Sequence, residues 1–184
     1  MFRVELENAY DVLWGEINPE LSIVEFNAPQ KEGGPVLLRV RIEPYGDPLL
    51  PGVYNLSLGP PDENGEINDH VRLRHHDSAR VYSTVILFAL AFLTEYPEAS
   101  IGLDGSNDIR ANLYHSMFLL NRNAVSEYFD AVGVDWYVKL LRNQQDVERD
   151  QDGNPFFKPR PEEFDYTRTR AGLYRYYILQ LKSK

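Results

Sequence analysis

The residues best suited to chemistry lie where a short apolar stretch gives way to Gly105 and Ser106 and a helical pattern begins. The first backbone amides of a helix have no acceptor within it, and the helix dipole favours negative charge there. Ser106 would add a hydroxyl donor and Arg110 a guanidinium. The sequence therefore predicts an anion site, with phosphate as its ligand, formed by Gly105, Ser106, Arg110, Tyr114 and His115.

The same turn has a simpler interpretation as a helix cap. Gly105 would supply a permissive backbone, and Ser106 or Asn107 a side chain that caps the helix. Asp104 and Asp108 flank the turn and would neutralise Arg110. The sequence has neither a Walker pattern nor a G-x-G-x-x-G motif. From the sequence, the anion site and the cap both remain open.

Histidines are candidates for proton transfer because imidazole titrates near neutral pH. His75 and His76 lie beside Asp77 and close to three arginines, while His70 and His115 stand apart. Adjacent residues on a strand point to opposite faces, so a solvated turn before a helix is the alternative for the pair. The chain has no Cys and no pair of His at zinc-protease spacing. We therefore expect no metal site and no cofactor.

The acidic charge of the chain is confined to its first third. Residues 1–70 hold 4 basic and 13 acidic side chains, an excess that equals the net charge of −9 of the whole chain. An acidic protein repels the phosphates of nucleic acid at long range, so a nucleic-acid partner is disfavoured without a local basic patch. The expected partner is a protein or a phosphate-bearing small molecule.

Composition favours the cytoplasm. The absence of Cys fits a reducing compartment, and the first residues carry charges too often for a signal peptide. The most apolar stretch, 81–93, is interrupted by Ser83 and Thr84 and is shorter than the roughly 20 residues that cross a bilayer. It predicts a buried helix, and we expect no membrane partner.

Hydrophobic periodicity predicts an α+β fold in which a mostly antiparallel sheet of about six to eight strands packs against two long helices. The helices are predicted at 78–96 and 107–130. Strands are predicted at 2–14, 21–26, 36–42, 53–58, 99–103, 132–140 and 173–181, with a hairpin at 62–74. The polar stretch 143–155 predicts an exposed loop, and the length of the chain predicts a single domain over 1–184.

The middle of the chain contains a series of different short motifs. They are Tyr54-Asn-Leu-Ser-Leu-Gly59, Gly65-Glu-Ile-Asn-Asp69, Asp77 with the helix after it, Tyr96-Pro97, Gly105-Ser106, Arg110 and Leu113-Tyr114. With these motifs the chain resembles, over roughly 50–140, a bacterial family of unknown function that is frequent among Bacteroidetes. In that family a denser arginine pattern follows the Gly-Ser turn, and here Asn112 and His115 occupy two of the arginine positions. The resemblance implies a bacterial source and supplies no activity.

Three functions are compatible with these patterns. The first is a binding or interaction module that holds an anion at the Gly-Ser turn and faces a basic partner with its acidic N-terminal third. The second is an enzyme acting on a phosphate-bearing substrate such as a nucleotide or RNA, with Arg110, Ser106 and a His as its machinery. The third is an oligomer-forming scaffold. The position of the histidines relative to Arg110 distinguishes the first two.

Overall fold

A computed structural model of the chain describes residues 3–68, 71–143 and 145–183. Predictions that involve Phe2, Asp69, His70 and Gln144 lie outside the described residues. Within these residues the helices are α1 (Ser78–Glu95), α2 (Asp108–Leu120) and α3 (Arg122–Tyr128). The strands are β1 (Trp14–Glu16), β2 (Ser22–Ala28), β3 (Val36–Pro44), β4 (Val53–Gly59), β5 (Ser100–Asp104), β6 (Phe129–Val138), β7 (Phe157–Glu163) and β8 (Tyr176–Leu181).

The strands form an eight-stranded sheet in the order β1-β2-β3-β4-β5-β8-β6-β7. Every neighbouring pair is antiparallel except β4 and β5, which are parallel because α1 connects them. The predicted α+β class and the mostly antiparallel sheet are therefore confirmed. The alternation of apolar and polar residues in β2 and β3 matches their burial, since every second residue faces the side of the sheet that the helices cover.

The covered face of the sheet packs against all three helices and forms the main core. Phe26, Val40 and Ile101 contribute from the strands, and Phe92 and Phe118 from the helices, and all five side chains are fully buried. A smaller apolar cluster lies on the opposite face. It consists of Leu50, Val53, Val134, Tyr176 and Ile178.

The parallel strands β4 and β5 pair over only three residues, Val53–Asn55 with Ser100–Gly102. Beyond that point β4 continues along β3 to Gly59, and β5 continues along β8 to Asp104. The carboxyl ends of the two strands therefore separate. This separation creates the space in which the candidate site lies.

Helix α1 confirms the prediction for 78–96. Asp77 caps it by accepting a hydrogen bond from the Arg80 amide at 2.9 Å, and the helix ends just before Tyr96 and Pro97. By length and composition alone α1 would also be able to cross a membrane, and half of its residues are buried inside the protein. Its buried side chains belong to the main core, as in a core helix.

The strand predicted at 2–14 is wrong for residues 3–13. They are not in a strand, although residues 3–7 alternate in sequence as a strand would. Three of their backbone amides donate instead to helix side chains, in the pairs Val4 to Asn121, Glu5 to Ser83 and Tyr10 to Thr84, at 2.6, 2.9 and 2.8 Å. The polar residues that interrupt the apolar helix pattern thus bind the N-terminal segment across the helices.

The helix predicted at 107–130 is broken at Asn121 into α2 and α3. The prediction of one continuous second helix is therefore wrong. The side-chain amide of Asn121 donates to the Met117 carbonyl oxygen at 2.8 Å, and its oxygen accepts from the Val4 amide. A side chain that bonds the backbone in this way competes with helix continuation. The helix ends at Tyr128, and β6 begins at the next residue, before the predicted start at 132.

Replacing Asn121 with Ala is expected to lower the free energy of unfolding by about 1 kcal/mol, because the buried Val4 amide loses its acceptor. Hydrogen exchange should show faster exchange at residues 4–10, and Asn123→Ala, on the exposed side of α3, is the matched control. Unchanged exchange at 4–10 would show that Asn121 does not hold the segment.

Two further predictions need correction. The hairpin at 62–74 reduces to a turn at 61–67 with a single bridge between Pro61 and Ile67, and residues 71–74 form no strand. The Asp62 carboxylate accepts from the amides of Asn64 and Glu66, which closes the turn locally. The last strand, predicted at 173–181, begins at Tyr176 and lies inside the sheet between β5 and β6.

The polar stretch predicted as an exposed loop lies after β6. Most of its described side chains are exposed, and its backbone is held by bonds such as Glu148 to Lys139 and Phe156 to Glu148, both at 2.8 Å. Lys158 adds an ion pair with Glu148 at 2.8 Å. The mobility of this stretch stays a prediction.

Candidate functional site

The candidate site is a crevice of about 420 Å³ between the separated ends of β4 and β5. Ligands of α/β proteins commonly bind outside the carboxyl ends of parallel strands, in pockets of this size. Helices α1 and α2 form the other walls. The lining residues are Asn55, Leu56, Ser57, Leu58, Ile67, Tyr82, Val85, Ile86, Leu103, Asp104, Arg110, Leu113, Tyr114, Met117 and Leu179.

The polar side chains of the crevice come from three elements. Tyr82 belongs to α1, Asp104 to β5, and Arg110 and Tyr114 to α2. Strand β4 contributes the side chains of Leu56 and Leu58, whereas Asn55 and Ser57 point to the other face of the sheet, where they pair with Glu43 and Arg41. On α2, Arg110 and Tyr114 are four residues apart and so lie on one side of the helix. The remaining walls are apolar.

The two phenols of the crevice are protonated at neutral pH and can donate hydrogen bonds. Burial raises the pKa of Tyr82 to about 12, and neighbouring Tyr114 adds to the shift. Burial likewise raises the pKa of Tyr114, while the Arg110 guanidinium opposes this and the Asp104 carboxylate adds to it. These mutual effects place both phenols, Arg110 and Asp104 in one electrostatic environment.

Arg110 and Asp104 form a loose ion pair at the polar end of the crevice, with 3.7 Å between the guanidinium nitrogen and the carboxylate oxygen. About a third of the Arg110 side chain is exposed. The crevice therefore offers hydrogen-bond donors, one acidic acceptor and an apolar floor. This combination suits a ligand with an apolar body and a polar or anionic end.

The Gly-Ser turn lies at the edge of this region, and its donors already have acceptors within the chain. The pairs are the Gly105 amide to the Arg175 carbonyl oxygen, the Ser106 amide and hydroxyl to the Asp104 carboxylate, and the Arg110 amide to Asn107, at distances of 2.8–3.1 Å. Anion binding by Gly105 and Ser106 would have to displace these bonds. It stays a prediction.

Of the five residues predicted for the anion site, Arg110 and Tyr114 line the crevice and Gly105, Ser106 and His115 do not. His115 follows Tyr114 directly and so points about 100° away around the helix. It is 5% exposed and packs against Phe164 with 5.3 Å between ring centroids. The structure thus separates two residues that the sequence places side by side.

The other described histidines also lie away from Arg110. The ring Nδ1 of His75 is 3.0 Å from the side-chain nitrogen of Gln30, at the bridge between those two residues, and His76 is exposed. Neither lines the crevice. In the described part of the chain, then, the crevice has no imidazole beside Arg110.

Burial lowers the pKa of His115, and this exceeds the opposing effects of the Arg168 backbone and the Asp165 carboxylate. The neutral ring is therefore favoured in the folded state, and protonation favours unfolding. We expect stability to fall as the pH drops from about 7.5 to about 5.5, through the unfolded-state pKa of about 6.5. Burial lowers the pKa of His75 as well, so its protonation also favours unfolding.

The test is urea unfolding of wild type and His115→Phe across this pH range, with His75→Gln as the matched variant. His115→Phe should reduce the pH dependence, because a phenyl ring fits among Phe164 and its aromatic neighbours and does not titrate. An identical slope in wild type and His115→Phe would contradict the assignment.

A second polar cluster lies at the β6–β7 end of the sheet. Arg168 donates to the two Asp135 carboxylate oxygens at 3.0 and 2.7 Å and to Glu162 at 2.6 Å. The Tyr174 hydroxyl donates to Glu162 at 2.7 Å, and Arg168 stacks on the Tyr174 ring at 3.6 Å. The hydrogen-bonding groups of this cluster bind one another, so the cluster holds the segment before β8 in place. The crevice is therefore the better candidate for a ligand site.

Sequence reasoning missed Tyr82. Asn55 and Ser57 also border the crevice, but their side chains lie on the other face of the sheet with Glu43 and Arg41. Tyr82 carries no local signal, because it follows the apolar pattern of a core helix.

Comparisons with known proteins fit this picture without naming an activity. Neither the curated proteins nor the solved structures yield a significant match to the chain. A family model, described as a family of unknown function (DUF6934), matches residues 9–150, which is most of the chain and includes β1 to β6 with all three helices. The predicted resemblance to a family of unknown function is therefore confirmed, and the chain belongs to the family DUF6934.

Proposed function

We propose that the protein is a bacterial, cytoplasmic binding module that takes a phosphate-bearing small molecule into the crevice between β4 and β5. One observation carries the proposal: Arg110 and two protonated phenols lie above an apolar floor in a cavity of about 420 Å³. The apolar floor would hold the body of the ligand. Arg110 and the Tyr114 hydroxyl would bind its phosphate.

An enzyme acting on such a substrate is the weaker alternative. General acid–base catalysis needs a titrating group within hydrogen-bond reach of the reacting atoms. His115 faces Phe164, and His75 lies at Gln30. Asp104 is the one acidic residue among the described residues that line the crevice. Its carboxylate already accepts hydrogen bonds from Ser106 and pairs with Arg110. Binding therefore accounts for the crevice more simply.

The test compares three probes by calorimetry: AMP, which has an aromatic body and a phosphate, adenosine, which lacks the phosphate, and inorganic phosphate, which lacks the body. AMP should bind more tightly than either fragment. Arg110→Ala should weaken AMP binding by about tenfold to a hundredfold, because a charge-assisted hydrogen bond is lost. The same substitution should leave adenosine binding nearly unchanged.

Arg142→Ala is the matched control, because Arg142 is exposed and does not line the crevice. It should bind all three probes as the wild type does. Equal AMP affinity in wild type and Arg110→Ala would contradict the proposal, as would equal affinity for AMP and inorganic phosphate.

A further inference from the structure

The first strand of the sheet carries a cluster of exposed apolar side chains. We call the cluster the β1 edge. It consists of Val12, Leu13, Trp14, Ile17 and Leu21, which are 37–59% exposed. Isolated exposed apolar residues are ordinary, but a contiguous group on one short segment marks an interaction surface. Its large members include Trp14, a residue type enriched where binding energy concentrates.

The segment also lies at the edge of the sheet. β1 is the first strand in the sheet order and pairs with β2 over Trp14–Glu16. Its outer side has no neighbouring strand among the described residues. An edge strand with free amides and carbonyls is a template for pairing with an extended segment of another chain.

The opposite edge of the sheet lacks this property. β7 carries Pro159 and Pro161, which have no amide hydrogen to donate. Arg160 lies between the two prolines, and Lys158 precedes them. Prolines and positive charges on an edge strand discourage pairing. The two edges of one sheet are thus built differently, and only the described edge at β1 is open to an added strand.

The charges around β1 select the partner. Five acidic residues and no basic residue occur between positions 5 and 20, and all five are exposed: Glu5, Glu7, Asp11, Glu16 and Glu20. A second copy of this chain would bring the same carboxylates together and be repelled. A segment rich in Lys or Arg would be attracted.

From these features we propose that the β1 edge binds an extended, basic segment of a partner protein, which adds as a further strand beside β1. Trp14 and Glu16 share one face of β1, since side chains two apart on a strand point the same way. Lys or Arg side chains of the segment would therefore pack their aliphatic stems on Trp14 and bring their charges to Glu16, and the alternate apolar side chains would lie on the other face. This surface is separate from the crevice, so the two proposals stand or fall independently.

The test uses a short synthetic peptide that alternates lysine and valine, with amide shifts and calorimetry on the full chain as readouts. Shifts should concentrate at residues 12–17 and weaken with salt, because exposed charges are screened. Matched peptides separate the contributions. A glutamate–valine peptide should bind far more weakly, and so should a backbone N-methylated lysine–valine peptide, which cannot donate to β1.

Charge reversal at Asp11 and Glu16 together should weaken the lysine–valine peptide by about tenfold. Reversal of Glu95 and Glu98, which are exposed on another part of the surface, makes the same change in net charge and should have little effect beyond the long-range term. Arg110→Ala should leave peptide binding unchanged. Equal binding of the lysine and glutamate peptides, undiminished binding of the N-methylated peptide, or self-association through β1 without peptide would each overturn the proposal.

Discussion

An alanine in place of Phe92 is expected to lower the free energy of unfolding by about 3–5 kcal/mol, the range found for buried aromatic residues. Phe92 is fully buried in the middle of the main core. Its ring lies 4.9 Å from Tyr54 of β4 and 5.1 Å from Tyr96, measured between centroids. Removing it opens a cavity at the contact between α1 and the sheet, which the neighbouring rings cannot fill.

Equilibrium unfolding in urea measures this effect. Leu87→Ala is the matched control, because Leu87 lies on the same helix and is 40% exposed. The control should cost less than about 1 kcal/mol, as substitutions at exposed positions usually do. A loss at Phe92 no larger than at Leu87 would contradict the packing of α1 against the sheet.

Gly102→Ala is expected to cost about 2–3 kcal/mol, because the new methyl group would overlap the Tyr176 phenol that covers Gly102. Tyr176 cannot swing away, since it is buried and stacks on Tyr45 with 5.1 Å between ring centroids. The glycine in β5 thus makes room for an aromatic side chain on the neighbouring strand β8.

A double-mutant cycle tests this cause directly. Tyr176→Ala removes the ring, so Gly102→Ala should cost much less in that background than in the wild type. Gly172→Ala is a suitable control, because a methyl group there meets open space. If Gly102→Ala costs the same with and without the Tyr176 ring, the overlap is not the source of the instability.

The parts of the fold that follow from the sequence are those in which local pattern and tertiary burial agree. In β2 and β3 every second residue faces the side of the sheet that the helices cover, so the pattern and the structure coincide. The same holds for α1, whose apolar residues are central to the core. The antiparallel α+β architecture could therefore be predicted.

Where the prediction failed, distant residues decided the outcome. The segment 3–13 begins with the alternation of a strand, but its amides bond to Ser83, Thr84 and Asn121, more than 70 residues away in two cases and more than 110 in the third. Only the folded chain brings these acceptors to it. Strand β7 was missed because Pro159 and Pro161 argue against a strand. The strand forms because it lies at an edge of the sheet, where no further strand needs the amide hydrogens that proline lacks.

The candidate site divides in the same way. Arg110 and Tyr114 could be linked from the sequence, since residues four apart share one side of a helix. Their convergence with Tyr82 could not, because it depends on how α1 and α2 lie beside the gap that opens where β4 and β5 part after three paired residues. His115 was grouped with them by proximity in sequence, and one step of helical rotation takes it to Phe164 instead.

The central claim is that the crevice, and not the Gly-Ser turn, holds the ligand. Amide shift mapping with AMP at up to millimolar concentration tests it most directly. We predict shifts at Asn55, Ser57 and Leu113 that are lost in Arg110→Ala, with smaller changes at Gly105 and Ser106. Shifts confined to Gly105 and Ser106, or no shifts at the crevice amides, would contradict the claim.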